Sequence, residues 1–484
     1  MRELEPTEVW SYFEEILEIP RLSRNEEKII QYLEGFAAEK KLKCKKDKTG
    51  NLLISKPASK GYENREIMIL QSHVDMVGEK LKDVVHDFSK DPVKAKIQDE
   101  WVTAEGTTLG ADDGIGIAAS LAILASDIID HGPIECLFTV DEETGMTGAS
   151  GLKKDFMKGK ILLNLDSEDE GEIFIGCAGG MDTIGRFVKK TKQVSKEQNA
   201  LKITMEGLQG GHSGDEIHKG FGNAIKLMNR MLWNMDQRFK IHIASFEGGK
   251  LRNAIPREAS AVIVFRDEIE EQVKKFFNSF YKELSGEIGD VEPGFQMSIQ
   301  PVKLPLVRFK RGFQRRLLNM LYGCPHGVIG WSGDIEGLVE TSTNLALIKD
   351  SDPHFVEVLT SHRSSKESAK RDIADRMTAL FTLASAEVSH SGGYPGWEPD
   401  PSSEILTISQ KVYKALFRHE PEIKAIHAGL ECGLFLEKYP QLDMISIGPT
   451  IKGAHTPEER IDIASVGRFW DFLLALLQNA PVKR

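Results

Sequence analysis

The sequence predicts an α/β protein in which a discontinuous domain, built on a mixed, mainly parallel sheet covered by helices, is interrupted by an α+β unit. Up to about residue 185, helical patterns alternate with short apolar runs typical of buried strands. From about residue 187, charged helices stand between alternating strands, and the first pattern returns after a segment rich in Ser, Gly and Pro at residues 389–404. We therefore expect a discontinuous domain of residues 1–186 and 391–484 and an inserted domain of residues 187–390.

The individual elements follow from the spacing of the apolar residues. Helical spacing is found in PTEVWSYFEEILEI, GIGIAASLAILAS and VGRFWDFLLALLQ. Buried strands are favoured for the short apolar runs IECLFTV, KILLNL and MISIGPT. Within the inserted part, EIEEQVKKFFNSFYKEL predicts a charged helix and ASAVIVF predicts an alternating strand. The elements of the two parts thus differ in character, which supports an insertion.

Composition limits the class of protein. A chain of 484 residues that is 40% hydrophobic and 28% charged suits a globular protein with two or more domains. Its 62 Lys and Arg against 73 Asp and Glu give a net charge of -11, which argues against a general nucleic-acid binder. Small-molecule or peptide substrates fit this composition better.

Cysteine usage and the amino terminus favour a cytoplasmic protein. The five cysteines are scattered and form no C-x-x-C pair, so neither a disulfide framework nor a structural zinc knuckle is indicated. The first ten residues, MRELEPTEVW, lack the apolar core of a signal peptide. The uncharged run of residues 114–126 is too short to span a bilayer, so we expect no membrane anchor.

The stretch MILQSHVDMV begins as a buried strand and ends with two polar side chains, His73 and Asp75. Residues two apart in an extended segment lie on one face, so these side chains point the same way. They could be a metal ligand and its orienting partner. Taken alone, the pair is more often a strand-end histidine beside a solvated loop carboxylate.

Other acidic residues and one histidine lie where further strands end or in loops. They are Asp112 in TTLGADDGIG, Glu142 and Glu143 in IECLFTVDEETG, Asp166 in ILLNLDSEDEGE and His455 in GPTIKGAHTPEER. Because ligands of open α/β sheets bind at the carboxyl ends of the strands, we expect these loops to converge with His73. Two imidazoles and three carboxylates suit two divalent ions, most naturally zinc, with one carboxylate bridging and a shared water. One of the adjacent glutamates would bind metal and the other would take the proton of that water.

Longer motifs resemble one known family. In chain order they are SHVDM, GTTLGADDGIG, DEETGM, NLDSEDEGEI, GGHSG, GGKLRNAIPRE, IHAGLECGLF and SIGPTIKGAHTPEE. This series closely resembles the bacterial aminoacyl-histidine (Xaa-His) dipeptidases, also called cytosol non-specific dipeptidases, which are co-catalytic zinc exopeptidases. The resemblance extends over nearly the whole chain.

The resemblance implies a role for each residue of the predicted site. One zinc would be held by His73, Asp112 and Asp166, and a second by Glu143, His455 and the bridging Asp112, while Asp75 would hydrogen-bond His73 and Glu142 would be the general base. Manganese or cobalt could replace zinc in such a site. The family's activity, hydrolysis of unblocked dipeptides, is the function that the resemblance implies.

The resemblance also implies that the inserted domain is a lid and dimerisation domain. Its GGHSG histidine, His212, would stabilise the oxyanion, either in its own subunit or across a homodimer, and Asn253 and Arg363 would hold the substrate's terminal carboxylate. Without the resemblance, His212 is a turn residue and Arg363 a surface charge. Two positions depart from the family pattern, Asp113 where asparagine is also familiar and Asp215 where glycine is usual, and neither removes a ligand.

Two other functions remain open from the sequence. A related zinc amidohydrolase, such as an N-acyl amino acid deacylase or a tripeptide aminopeptidase, would share the metal centre and differ only in its substrate pocket. A non-catalytic relative that keeps the fold as a binding module predicts a missing ligand or base. Every expected ligand and the base are present in this sequence.

Overall fold

The computed structural model describes residues 1–391 and 393–483, and it divides into two compact units. The first unit comprises Met1–Cys177, Trp397–Ala425 and Leu430–Arg484, and the second comprises Ala178–Gly396 and Ile426–Gly429. Gly392, in the linker-like segment, and Arg484 lie outside the described residues. The functional division into residues 1–186 with 391–484 and residues 187–390 stays a prediction.

The helices and strands are numbered in chain order. The α-helices are α1 (Thr7–Leu17), α2 (Glu27–Glu39), α3 (Ala111–Ala125), α4 (Glu142–Gly145), α5 (Thr147–Gly151), α6 (Ala224–Phe239), α7 (Glu270–Ile288), α8 (Arg311–Gly323), α9 (Glu367–Leu383), α10 (Glu404–Phe417), α11 (Glu431–Lys438) and α12 (Ile463–Gln478). The strands are β1 (Lys43–Lys46), β2 (Leu52–Lys56), β3 (Met68–His73), β4 (Ala95–Gln98), β5 (Trp101–Ala104), β6 (Ile134–Thr139), β7 (Ile161–Asn164), β8 (Glu172–Cys177), β9 (Gly179–Val188), β10 (Thr191–Gln193), β11 (Gln198–Glu206), β12 (His242–Gly248), β13 (Ala259–Arg266), β14 (Gln296–Pro301), β15 (Val307–Phe309), β16 (Gly327–Trp331), β17 (Val339–Lys349), β18 (Phe355–Ser364), β19 (Glu387–His390), β20 (Glu422–Ile426), β21 (Asp443–Ser446), β22 (Ile451–Lys452) and β23 (Arg460–Asp462).

The first unit is built on a mixed sheet with the strand order β1-β2-β6-β3-β7-β21-β8-β20. Its four central strands, β6, β3, β7 and β21, are parallel, whereas β1, β2 and β8 pair antiparallel to their neighbours. In this register His73 lies opposite Thr139, and Asn164 lies opposite both Gln71 and Ser446. The carboxyl ends of the four central strands therefore share one edge. The predicted fold class is confirmed.

Burial explains why the apolar runs form the centre of this sheet. Every residue of β3, β6 and β7 is buried, so continuous apolar runs are required instead of alternation. Helix α3 packs closely on β3, and a Cβ atom at Gly116 would lie 2.7 Å from Ser72 Oγ. A small residue is thus needed where this helix approaches the strand that ends at His73.

The second unit is an α+β structure around an antiparallel sheet. Strands follow the order β14-β11-β13-β12-β17-β18-β9-β19, and β16 adds to β17. The predicted strand ASAVIVF forms β13, and the predicted charged helix forms α7, whose apolar side packs into the core through Val273, Phe277 and Phe280. Within residues 1–391 and 393–483, no helix combines the length and apolar character needed to cross a membrane.

Candidate metal centre

Loops at one edge of the first unit's sheet bring together the residues predicted from the strand ends. His73 is the last residue of β3, Glu143 lies in α4 just after β6, and Asp166 follows β7. Asp112 lies at the start of α3. Its φ of -78° and ψ of 112° are not helical, so the regular helical turns begin after it. His455 comes from the loop after β22, where its φ of 62° is left-handed.

The side chains meet around Asp112. The nitrogen His73 Nε2 lies 2.9 Å from Asp112 Oδ1 and 3.3 Å from Asp166 Oδ1. On the other side, His455 Nε2 lies 3.1 Å from Asp112 Oδ2 and 2.9 Å from Glu143 Oε2. Each imidazole nitrogen thus faces two carboxylates, and only Asp112 is common to both sets.

This donor set fits a divalent cation. One imidazole N–H can point at only one of the two carboxylate oxygens that each nitrogen faces. Glu143 Oε1 is buried and has no hydrogen-bond partner among the described residues, and the ligand atoms of His73, Asp112 and Glu143 lie within 4.8 Å of one another. Ligand atoms around a tetrahedral zinc ion lie roughly 3.3 Å apart, because zinc bonds nitrogen and oxygen at about 2.0–2.2 Å. The observed separations are close to that value.

The site carries an excess of buried negative charge. Burial raises the pKa of Asp166 to about 7 and raises the pKa of Glu142 well above its ordinary value. Hydrogen bonds to Asp112 and Glu143 raise the pKa of His455 to about 11. A positive charge placed among these groups would therefore be strongly favoured.

Asp75 holds the loop that carries the two adjacent glutamates. Its Oδ1 and Oδ2 accept hydrogen bonds from the backbone N–H groups of Glu142 at 3.0 Å and Glu143 at 3.2 Å, and Ser23 Oγ donates to Oδ2 at 2.7 Å. The predicted hydrogen bond to His73 corresponds to a longer distance of 3.4 Å between Nδ1 and Asp75 Oδ1. The backbone contacts to the glutamate loop were not anticipated from the sequence.

Glu142 differs from its neighbour in the direction of its side chain. Whereas Glu143 contacts His455, the Glu142 carboxylate forms no hydrogen bond or ion pair with any residue in the described part of the chain. Its side chain is partly exposed. The Glu142 carboxylate is therefore free to bind a proton.

The predicted residues of the inserted part lie in the second unit. The His212 Nδ1 atom is 2.8 Å from Asp215 Oδ2, and Arg363 Nη2 is 3.3 Å from His212 Nε2. On its other side, Arg363 Nη1 donates to the hydroxyl oxygen of Tyr394 at 3.0 Å. Arg363 is only 8% exposed, and its Nε has no hydrogen-bond partner in the part of the chain that the structure describes. It is a buried member of a polar cluster and not a surface charge.

Asn253 adjoins His212 through the backbone. The N–H of Ser213 donates to the Asn253 carbonyl at 2.8 Å, and a β-bridge joins His212 to Ala254. Both His212 and Asn253 line a cavity of about 620 Å³ within this unit, which Arg257 also lines. Arg363 lies beside His212 but does not line this cavity.

One buried polar residue beside the candidate ligands, Glu431, was missed from the sequence. Glu431 is fully buried, and its Oε2 accepts from Gln71 Nε2 at 2.7 Å and from Thr139 Oγ1 at 2.6 Å. Burial raises the pKa of Glu431 to about 8. Glu431 lies in the motif IHAGLECGLF, but an acidic residue at the start of a helix is usually explained by the helix dipole, so no buried role was predicted for it.

Comparison with known proteins identifies the family. Residues 69–479 match the family model described as peptidase family M20/M25/M40. The chain belongs to this peptidase family. The membership that the motifs predicted is confirmed.

Two relatives are similar over the full length. The chain is 43% identical to the cytosol non-specific dipeptidase of Escherichia coli strain K12, over 100% of this chain and 99% of that protein. It is 44% identical to the aminoacylhistidine dipeptidase of Vibrio alginolyticus, whose crystal structure matches with a TM-score of 0.92 over 100% of this chain and 98% of that one. A tripeptidase from Staphylococcus aureus, 17% identical with a TM-score of 0.57 over 99% of both chains, shares the fold.

The geometry predicts that a divalent metal stabilises the first unit through Asp112. After chelation and dialysis, Zn²⁺ or Co²⁺ is added at about 100 times its Kd for the wild-type protein. The metal should then add about 2.7 kcal/mol to the free energy of unfolding, measured by thermal or denaturant unfolding. Asp112→Ala should lose most of this gain because both imidazoles contact that carboxylate. Asp169→Ala is the control, since Asp169 pairs with Lys452 and should leave the gain intact. An equal gain in Asp112→Ala would exclude Asp112 as a ligand.

Proposed function

We propose that the protein is a metallodipeptidase that hydrolyses unblocked dipeptides, including those of the Xaa-His type. The observation that carries this proposal is the full-length similarity, at 43% and 44% identity, to two dipeptidases. The chain also has every imidazole and carboxylate that the reaction requires, which argues against a non-catalytic relative.

Two divalent metal ions, most naturally zinc, would be held by the cluster around Asp112. His73 and Asp166 would bind one ion, Glu143 and His455 the other, and Asp112 would bridge them, as the two sets of contacts suggest. Imidazole and carboxylate ligands also suit manganese and cobalt, so these metals could substitute. When bound, such ions act as Lewis acids on a peptide carbonyl and make a water molecule acidic enough to attack it near neutral pH.

Glu142 would serve as the general base. Its carboxylate has no hydrogen-bond partner among residues 1–391 and 393–483, and burial raises its pKa, so it can take a proton from the attacking water and give it to the leaving amine. Asp75 would contribute by holding the Glu142 and Glu143 backbone N–H groups, which fixes the two carboxylates relative to His73. Proton transfer and metal binding are thereby divided between adjacent residues.

Three further residues are proposed to act on the substrate. His212 would stabilise the oxyanion, and Asn253 and Arg363 would hold the terminal carboxylate of the dipeptide. Support comes from the backbone bridge that places His212 next to the Asn253 loop, and from the arginine beside the imidazole. We also propose a homodimer and a cytoplasmic location, the latter because of the scattered cysteines and the similarity to a cytosol dipeptidase.

Glu142→Gln should leave metal binding intact and lower kcat by about 10²- to 10⁴-fold, because it removes the base and no ligand. Steady-state kinetics on a dipeptide and metal analysis of the same sample give the two readings. Glu143→Gln is the matched variant and should lose bound metal as well as activity. Near-normal turnover of Glu142→Gln would assign the base to another residue.

Dipeptides with free termini should be hydrolysed about 100-fold faster or more, in kcat/KM, than tripeptides or N-acetylated dipeptides. The reason is that a site that clamps both termini leaves little room beyond two residues. Comparable rates for an N-acetyl amino acid would favour a deacylase, and comparable rates for tripeptides would favour an aminopeptidase.

Subunit mixing tests whether His212 acts across a dimer. Glu142→Gln and His212→Ala protomers, each inactive alone, are combined under conditions that allow exchange. If the histidine acts in trans, each heterodimer rebuilds one of its two sites, so random pairing recovers about a quarter of wild-type activity. The control replaces the His212→Ala protomer by the double variant Glu142→Gln/His212→Ala, which cannot rebuild a site. No recovery, with heterodimers demonstrated by mass, would place the histidine in its own subunit.

A further inference from the structure

Glu459 is a buried carboxylate outside the predicted ligand set. It is only 2% exposed, and both its oxygens face the backbone of the loop that leads to Asp112. Oε2 accepts hydrogen bonds from the N–H groups of Leu109 at 2.7 Å and Gly110 at 2.9 Å, and Oε1 accepts from Ala111 at 2.7 Å and Asp112 at 3.3 Å. Four consecutive amides therefore converge on one side chain.

The conformation of the loop explains this convergence. Gly110 has a left-handed φ of 73°, and consecutive N–H groups then point to one side and form a concave site for an anion. Four N–H donors around two oxygens leave no place for an acid proton, so the geometry calls for the carboxylate form. Glu459 acts as the anion of this loop. Its own backbone carbonyl accepts from Thr103 Oγ1 at 3.2 Å, which ties the residue to β5.

Arg21 holds the carbonyl side of the same segment. It is 1% exposed, and its Nη2 donates to the Gly110 carbonyl. Its Nη1 donates to the carbonyls of Val74 at 3.1 Å and Asp75 at 2.7 Å, just after His73. The loop of Asp112 is thus held from its N–H side by Glu459 and from its carbonyl side by a residue that also holds the end of β3.

We propose that Glu459 is a positioning residue that sets Asp112 in place to bind metal. Glu459 follows His455 in the same loop by four residues, so its hydrogen bonds join the loop of one ligand to the loop of another. The inference rests on the proposed metal centre for the identity of the ligands. Hydrogen-bonded groups behind metal ligands change metal affinity by about 10- to 100-fold when they are replaced.

A purely structural role predicts a different outcome. It would lower the stability of the metal-free protein and leave the affinity and coordination geometry of bound metal unchanged. A positioning role predicts a change in the affinity and coordination geometry of the bound metal. Asp112 would be displaced when its N–H and the three preceding backbone N–H groups lose their acceptor. Metal affinity and a spectroscopic signature separate the two roles.

The test uses Glu459→Gln in the full-length chain, with Co²⁺ as the probe. The amide keeps one acceptor oxygen but turns N–H donors towards two of the backbone N–H groups. Titration of the metal-depleted protein should show Co²⁺ binding weakened by about 10- to 100-fold and a changed visible absorption spectrum of the bound cobalt. Glu458→Gln is the control, since it makes the same chemical change at an exposed adjacent position and should match wild type.

Wild-type affinity and an unchanged cobalt spectrum in Glu459→Gln would overturn the inference. If wild type itself binds no Co²⁺, the proposed metal centre fails, which is a distinct result. A second measurement needs no variant: hydrogen exchange of metal-free wild type should show the amides of residues 109–112 protected by at least about 100-fold, since Glu459 holds them without metal. Free exchange of these amides would overturn the inference even if Glu459→Gln did not fold.

Discussion

The site depends on the two contacts of the Asp112 carboxylate, which has one oxygen beside His73 and the other beside His455. Its two partners are 39 and 343 residues away in the chain, so only the fold can bring the three together. Convergence of Asp112 with Asp166 and Glu143 places like charges in a partly buried region, which is unfavourable without compensation. The two imidazoles provide part of that compensation, a bound cation would provide the rest, and the parallel strand ends hold the groups in place.

The carboxylates of the first unit serve two different purposes. Some face each other and are suited to hold a cation, whereas Asp75 and Glu459 accept backbone N–H groups of the loops that carry those residues. A carboxylate forms strong, charge-assisted hydrogen bonds with backbone donors, so it can fix a loop that has no regular secondary structure. The acidic character of the site is therefore partly structural, and the buried Arg21 offsets some of it.

In the second unit, the carboxylate of Asp215 orients the imidazole of His212. Asp215 Oδ2 lies 2.8 Å from His212 Nδ1 and can accept the N–H of that nitrogen, which fixes the orientation of the ring. Hydrogen bonding to His212 lowers the pKa of Asp215 against the effect of its burial. The Asp215 side chain therefore constrains the imidazole of His212.

The amino-acid sequence was sufficient to predict the fold class and the candidate ligands. Continuous apolar runs predicted β3, β6 and β7 because strands buried on both faces need them, and polar residues after such runs lie at one sheet edge in any parallel arrangement. Which carboxylates contact imidazoles and which accept backbone N–H groups follows only from the folded arrangement. Glu431 and Glu459 lie within the quoted motifs, but their hydrogen-bond partners are far away in the chain, so the motifs did not indicate what these two carboxylates contact. The pairing of Asp112 with both histidines was likewise decided by three-dimensional proximity, because distances between loops depend on strand order and not on spacing along the chain.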